Sequence, residues 1–503
     1  MLRNTKSMNP KAPKIYFSDI FNVSQETLSE YGAFNVSPIV DLPLFVDPFL
    51  LFTSSKPEYQ SLHEQIIQYL RYLRDLSIKG NSDKGILKDL YCFKEVHQNC
   101  LGFCLSGNRG AGLGMKFASS LNLNLNNLFR EFGNEQVTQG SHLEKLTLIR
   151  AGVGKDNISD FTTNLIKGYL LRYTEKFALE HIDPALCKKV RVARVDFNYE
   201  VGVWIDGEFT LPWLQGDYVL LTPEDILTKD DTWINKEDLR KDFPRIREAI
   251  SNDSLRGQVD RYFQGILPRD HTQKDLNEAV EKVLLKFPAL IDHFIRNKED
   301  RGDEAVHRSF GHVRHTEEVF VKNLSLLASI LQQHTEFYIS SETTLEESKR
   351  KIDYLKQVIE NQDGYRLFYD DKGKKIQREK DLQIAFKLVW EGSPSSADAE
   401  VNNGRGPVDF KISRGSLDAT LVEFKLASNT QIEKNLQNQV EIYEAANRTT
   451  QSYKVILFFT QSDEAKVKRL IKKLKIPSDA GVILIDARRD NKPSASKASD
   501  SLL

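Results

Sequence analysis

Two short segments constrain this chain more than any other feature. In GPVDFKIS the apolar Val408, Phe410 and Ile412 alternate with Asp409, Lys411 and Ser413, and in LVEFKLA Val422, Phe424 and Leu426 alternate with Glu423 and Lys425. A period of two marks a strand with one face on a core and the other polar. The stretch 414–418 between them contains Gly415 and reads as a hairpin turn centred on residue 416. That register sets 408 opposite 424, 410 opposite 422 and 409 opposite 423, so the apolar faces coincide. Asp409 and Glu423 then become direct cross-strand neighbours with Cβ atoms roughly 4.5 to 5.5 Å apart, and Lys425 projects from the same face.

Two carboxylates held that close repel unless a cation lies between them. A hard divalent ion resolves the conflict. Mg²⁺, with Mn²⁺ as its substitute, takes oxygen ligands and keeps coordination positions for a phosphate. Lys425 can orient or help deprotonate an attacking water and offset charge on the phosphate. The pattern points to hydrolysis of a phosphodiester.

The flanking periodicities predict a helix over Glu379–Trp390, a strand near Ala399, strands over 408–413 and 420–427, a helix over 431–447, a strand over 453–460, a helix over 463–474 and a strand over 481–487. The order is α-β-β-β-α-β-α-β. Short turns make the early strands antiparallel, and helical crossovers let the later ones pair in parallel, giving a mixed sheet flanked by helices. This order, with Asp409 and Glu423-Phe424-Lys425, resembles the PD-(D/E)XK, or restriction-endonuclease-like, nuclease superfamily over residues 374–490. Pro407 stands one residue further from the aspartate than that name implies.

The resemblance implies that Asp409 and Glu423 are metal ligands, that Lys425 is the catalytic lysine, that the cofactor is Mg²⁺, and that the partner is nucleic acid, DNA first. Gln439 and Tyr443, in QVEIY, resemble the Q-x-x-x-Y signature that some exonuclease and resolvase branches place after the catalytic strands. Spaced i, i+4, they share a helix face, which makes them candidates for substrate contact, with packing of that helix as the structural alternative. Many branches add an acid from the first helix. Glu379 lies on the face of Leu382, Gln383 and Phe386 and is the candidate, with Asp381 and Glu400 as competitors and helix-dipole stabilisation as the structural alternative. Lys466, Lys468, Arg469, Lys472, Lys473 and Lys475 oppose an apolar stripe of Val467, Leu470, Ile471 and Leu474. Lys466, Arg469 and Lys473 are the weaker, phosphate-binding candidates on that face, against the commoner reading of a solvated basic helix.

The chain of 503 residues exceeds what one core usually organises. The fold class expected is α/β (α+β mixed): a mixed α/β and helical region over 1–340 with a recognition or regulatory role, a helical connector over 341–373, the nuclease-like domain over 374–490, and a disordered tail over 491–503. Lys plus Arg (70) against Asp plus Glu (71) leaves a net charge of −1, so any polyanion site has to be local. No apolar stretch reaches the roughly 18 residues of a membrane span, the first residues lack the apolar run of a secretory signal, and the four cysteines are too sparse for a disulfide scaffold. A cytoplasmic protein without membrane partners is expected.

The amino-terminal region carries weaker signals. Ile158, Phe161, Leu165, Tyr169 and Tyr173 recur at helical spacing, 190–209 reads as strand, and 274–327 reads as mostly helical. SGNRGAGLG at 106–114 is glycine-dense but lacks the Gly-Lys-Ser/Thr ending of a P-loop. Asp156 and Asp160 stand where a helix starts, and capping by Asp156 accounts for one of them. Cys92, His97, Cys100 and Cys104 match no paired zinc frame, and His307, His312 and His315 beside Glu317 and Glu318 read as solvated or titrating side chains. The segments DLPLFVDPFLL, GVGKDNISDFTTN and YVLLTPEDIL resemble a bacterial family whose members end in this nuclease-like domain. Analogy with two-part bacterial nucleases suggests restriction or antiphage defence, as a homo-oligomer or with a partner encoded nearby. The rival is a module that keeps the nuclease fold to bind nucleic acid or protein without cutting.

Overall fold

The structure, a computed structural model, describes residues 14–492 except 81–82, 103–111, 128–130, 149–154, 230–231, 249, 251–252, 335–336, 338–342, 363, 371, 377, 391–394, 403–406, 415–417, 446–450 and 479. The carboxy-terminal elements are α1 (Thr344–Asn361), α2 (Glu379–Trp390), β1 (Ser396–Asn402), β2 (Pro407–Arg414), β3 (Asp418–Leu426), α3 (Ile432–Ala445), β4 (Gln451–Phe458), α4 (Gln461–Lys473) and β5 (Val482–Asp486). The five strands form one sheet in the order β5-β4-β3-β2-β1. β1, β2 and β3 are antiparallel neighbours, whereas β3, β4 and β5 run parallel, as their helical crossovers require. The mixed α/β class and the element order are those the sequence predicts. The pairs Phe410↔Val422 through Arg414↔Asp418 carry the expected register, but the β2–β3 ladder ends at Phe410.

Alternation divides the sheet. Phe410, Ile412, Val422, Phe424, Leu426, Val455 and Leu457 join the main apolar interior on one face. There Phe386 of α2 packs with its ring tilted against Phe424 at 4.0 Å and Phe410 at 4.9 Å, ring centre to ring centre. On the other face Ala427, Ile432, Leu436, Ile456, Phe458 and Val467 form a separate cluster beneath α3 and α4. The helix expected as a connector, α1, is a packed element: Ile352, Leu355, Val358 and Ile359 are buried, and it touches β2, β3, β4 and β5. Its N-terminus is capped by Thr343, and Thr344 hydrogen-bonds both Asp418 and Thr420 of β3.

Before residue 344 the spacing from Ile158 to Tyr173 resolves into two helices, Lys155–Leu165 and Lys167–His181, broken at Ile166. The extended reading at 190–209 is a long antiparallel ribbon, Cys187–Asn198 against Val203–Leu214. The helical stretch becomes Gln273–Lys286, Ala289–Glu299, Gly302–Glu317 and Leu324–His334. Buried contacts join this region to α2: Lys229 pairs with Asp381 at 3.4 Å, and Phe337 lies edge-on to Trp390. The apolar interior is continuous from Ile15 to Ala487.

Candidate active site

The site lies where β2 and β3 part. The strand pairing stops at Phe410↔Val422, and beyond it the Asp409 side chain bridges the strands: its Oδ2 accepts the Phe424 N–H at 2.7 Å, and its Oδ1 accepts Gln383 Nε2 at 2.6 Å. A carboxylate thus replaces the carbonyl that a continued ladder would supply. Gln383 reaches it from the second turn of α2, the helix whose Phe386 packs on Phe410 and Phe424.

Lys425 gathers the acids. Its Nζ stands 3.1 Å from Glu423 Oε1, 3.4 Å from Glu379 Oε2 and 3.7 Å from Asp409 Oδ2. Glu379 also accepts the Leu426 N–H at 3.3 Å and a hydrogen bond from the Asn429 amide. Asp409 and Lys425 are nearly buried, while the side chains of Glu423 and Glu379 keep 23% of their exposure, so the cluster opens toward solvent along its glutamates.

The electrostatics follow from this crowding. Burial, with the charge of Glu423 added, pushes the Asp409 carboxyl up to about 6 despite Lys425 and the two hydrogen bonds. Burial would raise Glu423 as well, but Lys454 and Lys425 outweigh it and hold the group below the ordinary carboxylate range. For Lys425 burial opposes the charge, and Asp409, Glu423 and Glu379 together lift its amine above the ordinary lysine value. The cluster thus sets three carboxyl groups around one amine.

Of the predicted residues, the structure brings Asp409, Glu423, Lys425 and Glu379 together. Asp381, a competitor for the first-helix acid, turns away to Lys229 and Arg378. β1 carries Glu400 and α3 carries Gln439 and Tyr443, but the side chains of all three lie outside what the structure describes. On α4, Lys466 donates to the carbonyls of Ala427 and Asn429, Lys473 pairs with Glu433 at 2.6 Å, and Arg469 is exposed. Lys466 therefore braces the loop whose Asn429 holds Glu379, and Lys473 is engaged within the domain.

Three contributors escape the sequence reading: Gln383, Asn429 and Lys454. Lys454 Nζ stands 2.7 Å from Glu423 Oε2 and donates to the Asn435 carbonyl at 2.7 Å. A signal for it existed, since a lysine interrupts YKVILFF, and a parallel strand covered on both faces normally reads as unbroken apolar sequence.

The weaker candidates do not assemble. His97 pairs with Asp217 at 3.0 Å while Cys100 is buried, and Cys104 lies outside the described residues. His307 bonds the Asp303 carbonyl of its own helix, His312 accepts the Lys229 N–H, and His315 pairs with Asp370. The stretch 106–111 and the Asp156 side chain lie outside the described residues, and the Asp160 carbonyl accepts from Asn164.

As placed, no three His, Cys, Asp or Glu side chains among the described residues stand ready to hold a metal ion. At this cluster the cation among the carboxylates is the Lys425 ammonium. The donor chemistry of Asp409, Glu423 and Glu379 suits a hard divalent ion once that ammonium yields the centre. Among the described residues no helix is long and apolar enough to cross a membrane.

Comparison with known proteins adds two matches. Residues 22–235 match the family model described as a domain of unknown function, DUF8370, and residues 344–461 match a second, also described as a domain of unknown function, DUF8371. The second match begins with α1 and takes in the whole cluster. No curated protein and no solved structure matches the chain.

Proposed function

We propose that the carboxy-terminal domain is a metal-dependent nuclease that hydrolyses phosphodiester bonds, with DNA as its substrate. The observation that carries this reading is the convergence of Glu379, Asp409, Glu423 and Lys425, from a helix and two strands, at an opening between strands. Asp409 and Glu423, with Glu379 beside them, would hold the Mg²⁺ ion, which when bound supplies Lewis-acid polarisation and charge neutralisation at the phosphate. Lys425, freed from the centre, orients the attacking water and offsets charge developing on the phosphate oxygens. Gln383 and the Phe424 N–H keep Asp409 aimed, and Asn429 does the same for Glu379. Restriction or antiphage defence is the setting this two-part architecture suggests by analogy alone.

A second reading has its own observation: every carboxylate of the cluster is already compensated by a lysine or a hydrogen bond. A domain that keeps the fold to bind nucleic acid or protein without cutting would show that balance. One panel separates the two. Purified protein is incubated with linear and circular DNA, single-stranded DNA and RNA, in Mg²⁺, Mn²⁺ or EDTA, beside Lys425→Ala and Asp409→Ala. The nuclease reading expects metal-dependent cleavage lost in both variants. Cleavage that survives in both rejects the assigned site, and binding without cleavage under every condition supports the module.

A further inference from the structure

Lys454 is the group in this cluster that stability alone explains least. It is 2% exposed, and its neighbours on the same strand face, Ile456 and Phe458, belong to the apolar cluster under α3 and α4. An ammonium taken out of water is costly unless it is paired and hydrogen-bonded, and an apolar side chain of similar volume is often the more stable choice. Lys454 meets both conditions. The parallel ladder sets it beside Glu423, where it pairs with Oε2, and the Asn435 carbonyl holds it from the helix side.

The two lysines differ in grip. Lys454 has two partners at 2.7 Å, whereas Lys425 spreads over three carboxylates at 3.1 to 3.7 Å. The amine that yields to an incoming ion is therefore Lys425, and Lys454 stays. Three carboxylates (−3) and two ammoniums (+2) leave the ionised cluster at −1, and a divalent ion turns it to +1. Without Lys454 the same sums are −2 and 0.

We infer that Lys454 is a second, non-reacting cation of this site: it weakens divalent-metal binding to the free protein and strengthens binding of the anionic substrate to the metal-loaded one. A fixed charge at this position thus acts on the two ligands in opposite senses. The inference rests on the nuclease reading above, and Lys454 acts as a positioning and charge-setting residue that touches neither substrate nor reacting atoms.

The test uses the full chain as wild type, Lys454→Met, Lys454→Arg and Asp409→Ala. Mn²⁺ binding is measured by calorimetry without nucleic acid, and kcat and KM are measured for DNA cleavage in saturating Mg²⁺. Removing one buried charge near the ion should tighten Mn²⁺ binding in Lys454→Met roughly tenfold and raise KM by about the same factor, in opposite senses for the two ligands. Lys454→Arg should restore both. A packing role alone would weaken both ligands together, and that result, or an unchanged Mn²⁺ affinity in Lys454→Met, overturns the inference. If Lys454→Met melts well below the wild type, Lys454→Gln carries the same comparison. Absence of Mn²⁺ binding in the wild type, or binding undiminished in Asp409→Ala, instead overturns the nuclease reading itself.

Discussion

Replacing Asp409 with asparagine should make the protein more stable and inactive at once. Burial raises the Asp409 pKa from 3.8 to about 6. A carboxyl raised in the folded state is one the fold prefers protonated, so its contribution is complete below the unfolded value and is lost as pH rises through about 6. The difference of roughly 2 pH units corresponds to about 3 kcal/mol of strain held in the ionised form at pH 8. The substituted amide, being neutral, would carry none of it. Its Oδ1 can still accept the Phe424 N–H, and its amino group can donate to Gln383 once that side chain turns its oxygen inward. The assay is urea unfolding of both proteins without metal, at about pH 5 and about pH 8, beside a cleavage assay in Mg²⁺. Asp409→Asn should gain up to about 3 kcal/mol over the wild type at the higher pH, with the gap closing toward the lower, as linkage requires. A variant less stable than the wild type at pH 8, or a gap that ignores pH, would refute the reasoning.

Three further outcomes follow from the same geometry. Lys425→Met should cut the cleavage rate by at least ~10² and also destabilise the metal-free protein by about 3 kcal/mol, because it strands carboxylates that are largely buried; turnover and urea unfolding check both, and a stability gain would count against the ammonium as the organiser of the acids. Phe386→Ala should cost roughly 3 to 5 kcal/mol by opening a cavity between α2, Phe410 and Phe424, and should raise KM for metal as well, since α2 carries Glu379 and Gln383. Lys229→Met leaves Asp381 with Arg378 alone, so melting should report a loss of about 1 to 3 kcal/mol, less than for a buried charge left with no partner.

The hairpin was legible because everything that sets it is local. Alternation at 408–413 and 420–426 fixes which side chains share a face, and a short turn leaves one register in which the apolar faces meet. Asp409, Glu423 and Lys425 could therefore be grouped from the residues alone, as could the antiparallel and parallel halves of the sheet from the lengths of their connections. Glu379 was legible only as one of several acids: helical spacing puts it on the face of Phe386, but its choice over Asp381 depended on which partner each would meet, and Lys229 is 152 positions away from Asp381. The end of the β2–β3 ladder at Phe410 was likewise hidden, because it reflects a helix docking against the strands and supplying Gln383.

What the amino-acid order determined by itself was the set of elements, their faces and the central triad, since periodicity and turn length act between near neighbours. Only the tertiary structure decided that Lys454 would stand beside Glu423, that Asp381 would serve the amino-terminal region and Glu379 the site, and that Lys425 would sit among the acids. Those contacts join strands separated by crossover helices and segments more than a hundred residues apart, and no local period records which buried charge will find which partner.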